Sequence, residues 1–123
     1  MIRVLLVDDE PSVLRSTSLL LADFGFDVTS VSQATQIISE LRRVLPDVLV
    51  QDVRMPGLNV RELVKSIRAD AAIAGIPIVL CSASLEVYEI ADELGVTVLE
   101  KPNRPDVMVS TIERAAASPV ASS

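Results

Sequence analysis

Short runs rich in leucine and β-branched residues recur along the chain, at Ile2 to Val7, Asp27 to Val31, Val48 to Gln51, Ile76 to Leu80 and Val96 to Leu99. Their apolar character is nearly continuous rather than alternating, which is the pattern of strands covered on both faces, as in a parallel sheet. Longer segments with helical spacing separate them. Pro11 suits the first turn of a helix that stops at Gly25, and Ser32 is placed to cap a second that ends before Pro46. A third is expected from about Val60 to Ala72, closed by Gly75 and Pro77. Ser84 is placed to cap an acidic fourth helix closed by Gly95, and a fifth begins near Pro105 and fades by Ala117. Five β-α repeats predict an α/β fold with helices on both faces of a five-stranded parallel sheet. One domain over residues 1–117 is expected, with 118–123 a disordered tail or the start of a linker.

Composition narrows the chemistry. The 123 residues carry 11 Lys+Arg against 17 Asp+Glu, a net charge of −6, and contain no His and one Cys. Imidazole chemistry is excluded, as are disulfides and the usual zinc sites. The acidic balance argues against direct contact with nucleic acid. No apolar run is long enough to cross a bilayer and no basic-then-apolar leader is present, so a soluble cytoplasmic protein without membrane contact is expected. Cys81, after Ile78-Val79-Leu80, reads as a small buried hydrophobe.

In a parallel α/β sheet, ligands bind beyond the carboxyl ends of the strands. The first run leads into Asp8-Asp9-Glu10, the third into Asp52, the fourth into Cys81-Ser82-Ala83 and the fifth into Glu100-Lys101-Pro102. One edge thus gathers three carboxylates, a hydroxyl and an ammonium. Two like charges about 4 Å apart repel by on the order of 4 kcal/mol at an effective dielectric near 20. Asp8, Asp9 and Asp52 together therefore call for a hard divalent cation, and oxygen-only ligands point to Mg²⁺ or a similar ion such as Mn²⁺. Such an ion with an ammonium opposite suits phosphoryl transfer, and a carboxylate can itself accept the group as an acyl phosphate. Asp52, alone at its strand end, is the candidate acceptor. Without a general base the anhydride would hydrolyse only slowly, so the chain reads as an acceptor with modest self-cleavage and not as a turnover enzyme.

The pieces Val4-Leu5-Leu6-Val7-Asp8-Asp9-Glu10, Asp52-Val53-Arg54-Met55-Pro56-Gly57, Ser82-Ala83 and Lys101-Pro102, in this order and each at a strand end, resemble the receiver domain of bacterial two-component response regulators over nearly the whole chain, either stand-alone or excised from a longer regulator. The resemblance implies a flavodoxin-like, doubly wound sheet of order 2-1-3-4-5. It implies that Asp52 is the phosphoacceptor, that Asp9 and Asp52 bind Mg²⁺ directly and Asp8 through water, and that the Arg54 backbone carbonyl completes the protein ligands. Ser82 and Lys101 would contact the phosphoryl group, Lys101 pairing with Asp52 beforehand, and the Lys101–Pro102 bond would be cis. Because those phosphoryl contacts exist in one state only, phosphorylation would bias a two-state equilibrium. The implied donor is a phosphohistidine on a sensor histidine kinase or phosphotransfer protein, docking over the edge beside the first helix, where Pro11, Leu14 and Thr17 are expected to face outward and, with Asn103, to make the contacts. The surface from the fourth helix to the fifth is where the family meets partners, a homodimer through these helices being one arrangement.

Three positions depart from the family, and a fourth is a candidate for tuning it. Val98 stands where receivers usually carry a Tyr or Phe that turns inward on activation, so an aromatic switch is degenerate here. Val60 replaces a common Gly, and β-branching disfavours positive φ, so the loop from Met55 to Val60 is expected to take its own path. Asn103 makes the rim after Pro102 more polar. The Arg54 side chain, two residues after Asp52, is a candidate modulator of phospho-lifetime, by reaching the phosphoryl oxygens or shielding them. Two rival readings are a degenerate pseudo-receiver serving as an interaction module, which Val98 and Val60 favour and the retained acids oppose, and a flavodoxin-like FMN binder. The latter would need a Ser/Thr/Gly-rich phosphate loop where this chain has Asp-Asp-Glu.

Overall fold

The computed structural model describes residues 1–119. Five parallel strands alternate with five helices: β1 (Arg3–Val7), α1 (Pro11–Asp23), β2 (Asp27–Val31), α2 (Ile37–Val44), β3 (Val48–Asp52), α3 (Val60–Ala69), β4 (Ile78–Ser82), α4 (Glu86–Leu94), β5 (Thr97–Glu100) and α5 (Pro105–Ala116). The sheet order is β2-β1-β3-β4-β5. Strands β3 and β4 are buried at every position, as the unbroken apolar runs require. Side chains alternate between two cores. Leu5, Leu49 and Leu80 face Ile37, Leu41, Leu63, Ile67 and Val87 from α2, α3 and α4 on one side. Val4, Val50 and Val79 face Leu21 and Ile112 from α1 and α5 on the other. Both faces being dry, the strand ends are where polar chemistry can reach water.

Several boundaries differ from those the sequence suggests, each for a local reason. Strand β4 runs two residues later than expected, because the Ile76 N–H closes a turn on the Ile73 carbonyl and Pro77 precedes the ladder. That shift brings Cys81 and Ser82 into the strand itself. β3 and β5 likewise reach Asp52 and Glu100, so the polar residues sit on the ladder's last rungs. Ser32 does not cap α2: a 3₁₀ turn over Ala34–Gln36 intervenes, and the cap position, Gln36, makes no side-chain capping bond. Helix α3 stops at Ala69, three residues early, because Asp70 is extended and its carboxylate takes the Ala72 N–H. Ser84 does not cap α4 either: the cap position is Leu85, which makes no side-chain capping bond, and Ser84, one residue earlier, accepts from the Glu86 N–H at 3.3 Å. The segment 118–123 expected as a tail lies largely outside the described residues.

Val60 begins α3 and its side chain is buried in the core. Its helical backbone has no need of the freedom a glycine would bring; positive φ falls instead on Gly57, at 76°. Asn59 fixes the entry, its Oδ1 accepting the Glu62 N–H at 3.1 Å. Asn59→Ala should therefore lower the unfolding free energy by about 1 kcal/mol, measured by urea denaturation, whereas Asn59→Asp should hold most of it.

Candidate functional site

Hydrogen bonding places each acid from the backbone outward. Asp8 follows the last residue of β1; its N–H still joins the ladder through the Val31 carbonyl, while its Oδ1 accepts from the Glu10 N–H at 3.0 Å. Asp52 ends β3, opposite Cys81, and its Oδ1 accepts from the Arg54 N–H at 3.4 Å. Both carboxylates are buried, at 6% and 8% exposure, which matters because desolvated charges must be paired. Asp9 is half-buried beside them, and one carboxylate oxygen from each of Asp8, Asp9 and Asp52 lies within 4.8 Å of the others.

Lys101 reaches over this cluster from the end of β5. Its Nζ lies 3.3 Å from Asp8 Oδ2 and 3.4 Å from Asp52 Oδ1, and its backbone N–H donates to the Ser82 carbonyl at 2.9 Å. The Lys101–Pro102 peptide bond is cis. Burial pulls the Lys101 ammonium down, but the attraction of Asp52 and Asp8 outweighs it and its pKa is raised. Burial likewise dominates at Asp52 and holds its carboxyl above the usual range, with Lys101 working against that and Asp8 adding to it. The ammonium thus fails to neutralise the cluster, and the oxygen-only donor set with its surplus negative charge fits a hard divalent cation.

Ser82 is buried at the end of β4, and its Oγ accepts from the Ser84 N–H at 3.0 Å. Among the described residues it makes no hydrogen bond to Asp52. The exposed Arg54 side chain makes no ion pair among them either. Cys81 is buried, and burial pushes its thiol up to about 12, so it serves as packing and not as a nucleophile. Val98 packs half-buried against the α2–α4 core. Asn103 turns inward on its own loop, donating to the Glu100 carbonyl at 2.8 Å.

Two of the expected docking positions are misplaced. Leu14 and Thr17 do not face outward; with Asp52, Cys81, Lys101 and Met108 they line a cavity of about 30 Å³. The outward ridge of α1 is Pro11, Ser12, Arg15, Ser16 and Leu19. Two further residues were not singled out from the sequence. Gln51 is wholly buried; its Nε2 donates to the Asp52 carbonyl at 2.8 Å, and its Oε1 has no partner among the described residues. Its position just before Asp52, at the end of an otherwise apolar run, was the available signal. Tyr88 on α4 donates its hydroxyl to Glu100 Oε1, a bridge between helix and strand that one-dimensional spacing does not reveal.

With this geometry in hand, comparison with known proteins settles the family. The model of the response regulator receiver domain matches residues 4–113. This chain belongs to the response regulator receiver family. Among curated relatives, the receiver is similar to the DNA-binding response regulator MtrA of Mycolicibacterium smegmatis, 29% identical over 117 residues covering 89% of this chain and 48% of that protein. It is also similar to a nitrate/nitrite response regulator homolog of Haemophilus influenzae, 34% identical over 118 residues covering 94% of this chain and 57% of that protein. The receiver thus spans about half the length of these relatives. Among solved structures it is similar to chemotaxis protein CheY4 of Vibrio cholerae, with a TM-score of 0.83 and 29% identity over 94% of this chain and 98% of that one. The receiver domain of a Pseudomonas aeruginosa sensor histidine kinase matches with a TM-score of 0.85 and 25% identity over 95% and 98%, and its structure holds a magnesium ion in the active-site cleft. No helix of the described residues is long and apolar enough to cross a membrane.

The raised Asp52 pKa fixes the sign of a pH effect. A carboxyl that binds its proton more tightly when folded costs nothing below the pKa of the unfolded chain, and its penalty accrues as pH rises through the folded pKa and then persists. In metal-free buffer at neutral pH, Asp52→Asn should raise the unfolding free energy. The gain should vanish below about pH 3.5, and Mg²⁺ should shrink it; urea melts across pH, with and without the ion, are the check.

Proposed function

We propose that this receiver takes a phosphoryl group from a phosphohistidine, on a sensor histidine kinase or a phosphotransfer protein, onto Asp52, and that the acyl phosphate shifts its conformation to signal to a partner or output domain. The observation carrying this reading is the buried Asp52 carboxylate, grouped with Asp8 and Asp9 and within 3.4 Å of the Lys101 ammonium. Asp8, Asp9, Asp52 and the Arg54 carbonyl would hold Mg²⁺, which supplies neutralisation of the phosphoryl oxygens.

The chain's own residues carry the rest. Asp52 Oδ1 is engaged by Lys101 and the Arg54 N–H, which leaves Oδ2 as the attacking oxygen. An oxygen–phosphorus bond forms as the phosphorus–nitrogen bond breaks, and the departing imidazole keeps the electron pair and takes a proton from solvent. Lys101 then exchanges a carboxylate for phosphoryl oxygens, and the Ser82 hydroxyl gives up Ser84 to reach them. Each exchange holds in the phosphorylated state only, which is what a population shift requires. The chain itself does no more chemistry than self-phosphorylation and slow self-dephosphorylation, the latter because it contains no histidine to activate water.

Incubation with Mg²⁺ and a phosphoramidate or acyl phosphate should add the mass of one phosphoryl group, seen by intact-protein mass spectrometry. Asp52→Asn or chelation of the metal should abolish it. Wild-type protein that gains no mass with the ion present would leave the pseudo-receiver reading standing. The exposed, unpaired Arg54 guanidinium should shield the anhydride, so Arg54→Ala should shorten the phospho-lifetime severalfold; an unchanged decay rate would remove that role.

A further inference from the structure

At the end of the sheet opposite the acids lies a cleft of about 390 Å³, a size in the range of small-molecule sites. Its floor is the start of β4 and β5, with Pro77, Gly95 and Thr97; one wall is Arg68 from the end of α3, the other Thr111 and Arg114 from α5. No acid lines it. The run of β4 from Ile78 to Ser82 puts it roughly 13 Å from the phosphoacceptor edge, so it is separate from that site.

Arg68 is held in place without being neutralised. Its Nη1 donates to the Ala74 and Ile76 carbonyls at 3.0 and 2.8 Å, which fixes the guanidinium while leaving Nε and Nη2 unused. Among the described residues neither Arg68 nor Arg114 forms an ion pair, and burial lowers the Arg68 pKa with no anion to raise it again. Arg114 spends only its Nε, on the Ser110 carbonyl at 3.3 Å. Thr111, 6% exposed, and Thr97 make no side-chain hydrogen bond among the described residues. Among the described residues, two guanidinium groups without an anionic partner and two hydroxyls without a hydrogen bond thus share one concavity in a chain whose net charge is −6. A partly desolvated cation lacking a counter-charge is costly, and the planar fork of arginine matches the oxygens of phosphate and carboxylate. We propose that this cleft binds a small oxyanion, a phosphate- or carboxylate-bearing molecule clamped between Arg68 and Arg114 with Thr97 and Thr111 as hydroxyl partners.

Inorganic phosphate and citrate, each titrated at constant ionic strength against chloride without Mg²⁺, separate the two chemistries. Amide resonances of Thr97 and Thr111 should shift saturably with at least one of them, in Asp52→Asn protein as in wild type. Arg114 is exposed and its replacement leaves the fold intact; Arg114→Glu should weaken binding about tenfold or more, Arg114→Lys less, with phosphoryl uptake at Asp52 unchanged in both. Saturation by phosphate alone or by citrate alone assigns the ligand's acid group. Shifts that chloride reproduces, that do not saturate, or that survive Arg114→Glu would overturn the proposal.

Discussion

One ammonium faces three carboxylates at the carboxyl edge of the sheet, and the arrangement of the molecule follows from that imbalance. Lys101 touches Asp8 and Asp52 at once, yet two negative charges remain uncompensated in a partly dry setting. A divalent cation matches that surplus, and so does the view of the site as charge storage: the acids are held close at a cost in folding stability that ligands recover. The backbone bears that cost locally. The Glu10 and Arg54 N–H groups each donate to a carboxylate, and the fully buried strands beneath leave the acids little room to relax. The small cavity under the cluster, lined by Leu14, Cys81 and Met108, gives the site an apolar floor that keeps the local dielectric low.

What could be read from the sequence was whatever two-sided burial writes into it. Runs such as Val48-Leu49-Val50 have one stable place, a central parallel strand, and the polar residue that ends each run then has to lie at the sheet edge. That logic puts Asp8, Asp52, Ser82 and Lys101 at one sheet edge, which is where the strand ends carry them. Features decided by competition between local hydrogen bonds were less legible. Ser32 had the chemistry of a cap but lost the position to a 3₁₀ turn, and Asp70 ended α3 by bonding Ala72. The face of α1 was misjudged because its second half is nearly all apolar. Leu14 and Thr17 precede the buried Leu21 by seven and four positions and so share its inward stripe, whereas Pro11, Arg15 and Leu19 form the outward one. The unpaired arginines of the opposite cleft were invisible for another reason: Arg68 and Arg114 are far apart in sequence, and only the packing of α3 and α5 against β4 and β5 makes them neighbours.

The absence of an aromatic at position 98 takes on a different meaning once the contacts are known. Val98 packs half-buried against the core and offers no ring to move. A ring nevertheless lies against the same groove between α4 and β5, contributed from the helix by Tyr88. Its hydroxyl is bound to Glu100, which raises the Tyr88 pKa, and Glu100 is the residue just before Lys101. Lys101 in turn holds the Ser82 carbonyl through its backbone N–H, and Ser82 begins the loop that leads into α4. These contacts close a circuit from helix to strand end to the loop after Ser82 and back to the helix. Tyr88 therefore contacts the strand end through its hydroxyl, from the surface of α4, whereas Val98 meets the core through its side chain alone. The aromatic is thus tethered to the strand that carries the lysine, and α4 is joined to the end of the sheet at both Glu100 and Ser82.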